Sequence, residues 1–418
     1  MNKKDNKLQA KSNFAKFSLS SFFRLVGKIR IKSRGENQVD NKIDGKNVMV
    51  VAGDLGGWHA TVVVLEQLAD RGANVSVVFS GPSRRAFLEK ILDLDSRFII
   101  HTGDTDAVGA IHELPLCECY DVVVVAPSQS KDGNDETLKI VNEFKDSVPV
   151  CVIEDMWGSA VHFLIKIKPQ VFERVSVFVV DQFAKKMLIE STGIKARQVF
   201  VTGGPQFDRV LELKKDWDKQ RKLIRENLSD DCLVYLVAGG VNGTGEILDL
   251  VKSILRPQDV IIFRQHSRST EKDKKRTEDV IEKIMQAGGK FLEIDKKIAP
   301  YAESLLAGAD FVLSGFSTTN RYAILLGIAG TIYVGTKSFR KDLWAEKKLK
   351  LPPEVEFGAG WYVRNIKEMK MVVEEVSASV AGKRRKEIIK KQQKIAQFCD
   401  GKATQRVIGV IGSLRSEC

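Results

Sequence analysis

What this chain lacks narrows its chemistry first. It has no apolar stretch long enough to cross a bilayer as a helix, so no transmembrane span is expected. Cysteine is sparse, with six in 418 residues (117, 119, 151, 232, 399 and 418), and the close pair Cys117 and Cys119 is CxC rather than the CxxC of redox and zinc sites. With no second pair to complete a tetrahedral set, no metal site is expected. The thiols read as free in a reducing cytoplasm, with Cys151 inside an apolar strand. The glycine fingerprint GxGxxG is missing too, which removes the support for a dinucleotide, and no cofactor is expected. Positive charge is unevenly spread. The net charge is +12, but residues 1–46 hold twelve Lys or Arg against four acids, and residues 383–394 (KRRKEIIKKQQK) hold seven against one. These segments carry +8 and +6, leaving the remainder at −2. A near-neutral globular part argues against a polyanion groove, so no nucleic-acid partner is expected.

What is present is an ordinary globular composition, 43% hydrophobic and 29% charged, in a chain long enough for two domains plus tails. Residues 1–46 read as a basic tail with an amphipathic part, Phe14 to Ile31, whose Phe14, Phe17, Phe22, Leu25, Val26 and Ile29 recur near helical spacing between basic residues. That pattern suits an anionic membrane surface, and it equally suits a floppy leader or a helix packed on the protein itself. A signal peptide is not expected, because Arg24 interrupts the apolar stretch and no small-residue cleavage site follows. From Asn47 short unbroken apolar runs alternate with helical stretches: VMVVA (48–52), VSVVF (75–79), DVVVVA (121–126), VPVCVI (148–153), VFVV (177–180) and VFV (199–201). Strands apolar on both faces belong to a parallel sheet covered by helices. A charged segment, 209–231, reads as a solvated linking helix. The pattern then restarts with LVYLVA (233–238), VIIF (260–263), FVL (311–313) and TIYV (331–334), and a basic helix and a second helix close the chain. The expected organisation is therefore an N-terminal α/β domain over 47–208, the linker, a second α/β domain over 232–382, and C-terminal helices over 383–418.

Two doubly wound Rossmann-like domains in tandem face one another across a cleft at the carboxyl ends of their strands, where such sheets bind ligands. Four stretches carry candidate chemistry. GDLGGWH (53–59) offers close backbone approach at Gly56 and Gly57, and His59 as a titratable base or a plain helix-terminal hydrogen bonder. EDMWGS (154–159) places Glu154 and Asp155 at a strand end, one expected to face the cleft and the other away; a capping Asp beside a packed Trp is the plainer reading. GGVNGTG (239–245) supplies Gly240, Asn242 and Gly243 for a diphosphate, or simply a sharp turn. Ser317, Thr318 and Thr319 open a helix whose free amide donors and dipole suit an anion, unless they form a cap and nothing more.

A resemblance joins these loops. VFVVDQFAKKMLIESTGIKARQVFVTGGPQFDRVLE (177–212) is similar to the end of the first domain in bacterial GT-B-fold proteins, where a strand bearing V-T-G-N-P-x-F-D follows a helix ending in G-I. Arg264 and His266 match R-x-H-P-R, with Ser267 where proline is usual; Ser317 and Thr318 match the S-T helix start; and DGKATQRVIGVI (400–411) matches a closing helix. The resemblance spans about residues 47 to 414 and takes in nucleotide-sugar transferases, glycerophosphate-polymer transferases and UDP-N-acetylglucosamine 2-epimerases. It implies a C-terminal helix that crosses back onto the first domain. It also implies metal-independent transfer of a sugar or sugar-like group from a nucleotide-diphosphate donor to a cell-surface polysaccharide or lipid-linked acceptor. Arg264, His266 and the Ser317–Thr319 start would hold the diphosphate, and His59 or Asp155 would act as acid/base. The alternatives are a 2-epimerase-like enzyme and a catalytically silent nucleotide-sugar binder. Tyr322 stands where the family usually has a ribose-holding Glu, Gly330 stands near a usual proline, and the epimerases' E-A-G-L-R segment is absent.

Overall fold

The computed structural model describes residues 43–52, 55–79, 98–101, 120–127, 131–144, 146–166, 173–266, 269–295, 297–299, 303–347, 350–380, 382–396 and 399–414. Residues 1–42 of the basic tail, Cys117, Cys119 and Cys418 lie outside them.

The valine-rich runs form two parallel sheets. In the first, β1 (Asn47–Ala52), β2 (Asn74–Phe79), β3 (Phe98–His101), β4 (Val122–Ala126), β5 (Val150–Ile153), β6 (Val175–Val179) and β7 (Val199–Val201) take the order β3-β2-β1-β4-β5-β6-β7. Val50 sits between Val77 and Val124, all three fully buried, as expected for strands covered on both faces. The covering helices are α1 (Leu55–Asp70), α2 (Lys131–Phe144), α3 (Ser159–Lys166) and α4 (Gln182–Thr192).

The linker is not one solvated helix. It forms α5 (Val210–Lys215) and α6 (Trp217–Ile224), which meet at Asp216 where the backbone leaves the helical region. Both helices are anchored by packing and charge. Val210 and Ile224 are buried, and Arg221 and Arg225 each pair at 2.8 Å with Asp310, whose carboxylate also takes the Val234 amide. The linker therefore grips the second sheet at its amino edge.

That sheet comprises β8 (Val234–Ala238), β9 (Val260–Arg264), β10 (Lys290–Phe291), β11 (Phe311–Ser314), β12 (Gly330–Val334) and β13 (Trp361–Val363), ordered β10-β9-β8-β11-β12-β13. The edge strands β10 and β13 span two and three residues, too few to stand out in the apolar pattern. Around it pack α7 (Thr244–Lys252), α8 (Glu271–Gln286), α9 (Thr318–Leu326), α10 (Lys337–Lys347), α11 (Pro353–Glu356) and α12 (Ile366–Ser377). Before β11 the described residues form a 3-10 turn over Glu303–Gly308.

The basic helix α13 (Lys383–Ala396) buries Ile388, Gln392 and Ile395 and leads into α14 (Ala403–Ser413). α14 returns to the first domain, where Val407, Ile408 and Ile411 join the core of α1. Its start is fixed by Asp208, which accepts hydrogen bonds from Ala403 N (2.9 Å), Thr404 N (2.9 Å) and Thr404 Oγ1 (2.7 Å). One apolar cluster runs from Trp157 and Phe207 of the first domain to Tyr322 and Ala323 of the second, so the domains share a core. No helix among the described residues is long and apolar enough to cross a membrane.

Candidate functional site

β11 ends at Ser314 and the chain turns through Gly315 to Ser317, the N-cap of α9, whose hydroxyl accepts from Thr319 N at 3.2 Å. Ser317, Thr318 and Thr319 are half-buried, and among the described residues no group takes the Thr318 amide.

The glycine loop behaves differently. Gly243 N (2.8 Å) and Thr244 N (3.1 Å) both donate to Asp273 Oδ1 from α8, so a carboxylate of the chain itself occupies the start of α7. Gly240 accepts from Ser269 Oγ at 2.9 Å, and Asn242 Oδ1 accepts from Thr270 Oγ1 at 3.1 Å. The loop is thus spent on tying α7 to α8, which is the sharp-turn reading. Its first glycine serves a close approach: a Cβ on Gly239 would lie 2.9 Å from Arg264 O and 3.1 Å from His266 N.

Arg264 ends β9, and His266 follows, half-buried. Burial pulls the Arg264 guanidinium below its ordinary value, opposed by the charge of Glu303. The charge of Glu303 also raises Tyr322, after the larger effect of burial. Tyr322 itself is turned inward. Its hydroxyl donates to Gln206 O at 2.5 Å and its ring meets Phe207 edge-on at 5.1 Å, so this side chain joins the two domains.

In the first domain, Gly56, Gly57 and His59 all fall within the first turns of α1, with Gly57 O accepting from Thr61 Oγ1 at 3.0 Å and His59 half-buried. Glu154 and Asp155 do not divide between cleft and interior. They are 1% and 4% exposed. Glu154 Oε1 accepts from Gly158 N at 3.0 Å, and desolvation pushes the carboxyl up to about 8, against the pull of the Gly158 amide. The main chain at Asp155 is held by Gln206, whose Nε2 donates to Asp155 O at 2.7 Å.

Between the domains lies a charge that the motifs did not mark. The buried Arg321 guanidinium donates to Asp181 Oδ2 at 3.1 Å, lies 3.6 Å from Glu354 Oε1 and covers the Trp157 ring at 4.3 Å. Burial opposes its charge, but Asp181 and Glu354 outweigh that and hold it above its ordinary value. Burial also pushes Glu354 up to about 7, with Arg321 pulling back. The available signal was one Arg inside the apolar run of α9 and an Asp directly after VFVV.

No family model matches the chain, and no curated protein does. Solved structures match along nearly its whole length. UDP-GlcNAc 2-epimerase from Neisseria meningitidis bound to UDP-GlcNAc is 14% identical, with 87% of this chain and 99% of that chain covered at a TM-score of 0.59. A glycosyltransferase from Rickettsia africae is 11% identical, with coverage of 89% and 98% and a TM-score of 0.52. HepE of Anabaena in complex with UDP is 14% identical, with coverage of 88% and 100% and a TM-score of 0.51. The chain has the GT-B fold. Within a GT-B frame the open start of α9 and the end of β9 both lie at the carboxyl edge of the second sheet, the side on which such sheets take ligands. Identities this low speak to the fold alone, and function has to be argued from the site.

Proposed function

We propose that this GT-B chain is a nucleotide-sugar enzyme, a glycosyltransferase that moves a sugar or sugar-like group from a nucleoside-diphosphate donor to a polysaccharide or lipid-linked acceptor. The observation that carries the reading is the contrast between the two helix starts. That of α7 is filled by Asp273, whereas that of α9 is capped by Ser317 with the Thr318 amide left without an acceptor among the described residues, at the same carboxyl edge of the sheet as Arg264. A leaving diphosphate there would gain the helix dipole, amide donors and a charge-assisted contact from Arg264, with His266 beside it. His59, in the first turns of α1, would take a proton from an acceptor hydroxyl. That UDP-GlcNAc and UDP are bound by two proteins of the same fold supports the donor class. The buried state of both Glu154 and Asp155 favours a second reading, a silent nucleotide-sugar binder.

Thermal unfolding with UDP, CDP and UDP-GlcNAc tests the site. A ligand at a hundred times its Kd adds about 2.7 kcal/mol of stability, and Arg264→Ala should lose most of that gain. Equal stabilisation in the variant would place the ligand elsewhere. Incubation with UDP-GlcNAc then separates the activities. Release of UDP, reduced roughly a hundredfold in His59→Ala, marks a transferase. An epimerised sugar marks an epimerase, and binding without turnover of any donor marks the silent binder.

A further inference from the structure

Two consecutive side chains of α9, one turn below its open start, cross to the first domain. Arg321 covers the Trp157 ring at 4.3 Å and pairs with Asp181, the residue that also caps α4 through Ala184 N at 2.9 Å. Tyr322 donates to Gln206 O, and Gln206 donates to Asp155 O. Trp157 and Asp155 belong to one short segment, 154–158, that Glu154 closes on itself through the Gly158 amide. The acid-bearing segment is therefore held at two points by the helix whose start is the proposed diphosphate site.

Neither hold is needed to form its own element. α9 is capped by Ser317 and closed by Gly327, and β5 is paired on both sides. A buried guanidinium is also costly, and an apolar side chain of like volume generally packs in such a place at no loss of stability. A cation kept here calls for a reason other than stability. We propose that Arg321 is a positioning residue: acting through Trp157 and Asp181, it holds the Glu154–Gly158 segment in register with an anion bound at the start of α9. The proposal rests on the nucleotide reading above and adds a linkage to it. Occupancy of the α9 start and order of the acid segment favour one another, each changing the other by the same factor.

Trp157 is a built-in reporter. The full chain is titrated with UDP while tryptophan emission is followed, in the wild type and in Trp157→Phe, so that their difference isolates the Trp157 signal. Arg321→Lys keeps the charge and loses the planar fork. The expected result is a Trp157 response to UDP in the wild type. In Arg321→Lys, UDP should bind about 5- to 10-fold more weakly with that response gone. An arginine of merely structural importance would lower the melting temperature and leave both UDP affinity and the Trp157 response of the folded protein unchanged, which overturns the proposal. If Arg321→Lys fails to fold, Asp181→Asn takes its place with the same expectations, because it keeps an oxygen to cap α4 and removes the ion pair. UDP binding with no Trp157 response in the wild type overturns the positioning role and leaves the nucleotide reading standing. No binding of any nucleoside diphosphate overturns both.

Discussion

Glu154 shows at single-residue scale how the fold sets chemistry against sequence. Its ordinary value of 4.5 rises to about 8 because burial removes water from the charged form faster than the Gly158 amide restores solvation. A raised carboxyl holds its proton in the native state after the unfolded chain has lost it. The native state is thus penalised increasingly as pH climbs from about 4.5 to about 8, and by a constant amount above that. One pKa unit is worth about 1.4 kcal/mol, so the penalty at alkaline pH reaches a few kcal/mol. Glu154→Gln, which keeps an acceptor for Gly158, should match the wild type in melting temperature near pH 5 and exceed it near pH 8.5. Melting curves across that range decide it; a difference that does not change with pH would mean Glu154 is ionised throughout. Burial also explains why the two neighbouring carboxylates do not lie on opposite faces. Adjacent residues after a strand alternate faces by pattern, but Glu154 and Asp155 turn inward together because the chain closes on Gly158 and Gln206.

At the scale of elements, helix starts do much of the joining between parts of this molecule. Asp273 ties α7 to α8, Asp181 caps α4 while facing Arg321, and Asp208 holds α14 against the first domain. Asp208 satisfies two amide donors and one hydroxyl of α14, and a lost cap of this kind costs about 1–2 kcal/mol. Asp208→Ala should therefore lower the urea midpoint, and Asp208→Asn, which retains one carbonyl oxygen, should lower it less. If the two variants match each other and the wild type, α14 is held by its apolar face alone. The sequence marked Ser317 as a cap because a hydroxyl residue precedes an apolar run. The cap on α7 was invisible, because Asp273 lies 30 positions along and only the packing of α8 on α7 brings it near.

For the molecule as a whole, the sharpest contrast is between the near-neutral pair of domains and the two basic segments. We propose that residues 1–46 bring the chain to an anionic membrane surface, where a lipid-linked acceptor would be found. Each basic residue near such a surface contributes on the order of 1 kcal/mol, so the tail's net +8 suffices for reversible attachment. The full chain should sediment with anionic vesicles and a chain starting at Lys46 should not, with the difference shrinking as salt is raised and the Debye length falls. Equal sedimentation of both forms, or of neither, would remove the tail from that role.

Sequence by itself determined the two parallel sheets, since runs such as VVVVA are apolar on both faces and exclude any strand with a solvated side. It likewise determined the cap at Ser317, a local pattern of residue type, whereas the return of the C-terminal helix to the first domain was implied by the resemblance. Tertiary structure alone decided which loops remain available. Whether a glycine loop keeps its amides, whether a carboxylate faces solvent, and whether Tyr322 meets a ligand or Gln206 depends on groups tens to over a hundred positions away. Burial and ion pairing act through space, and at Arg321 they join Asp181 to a residue 140 positions further along the chain.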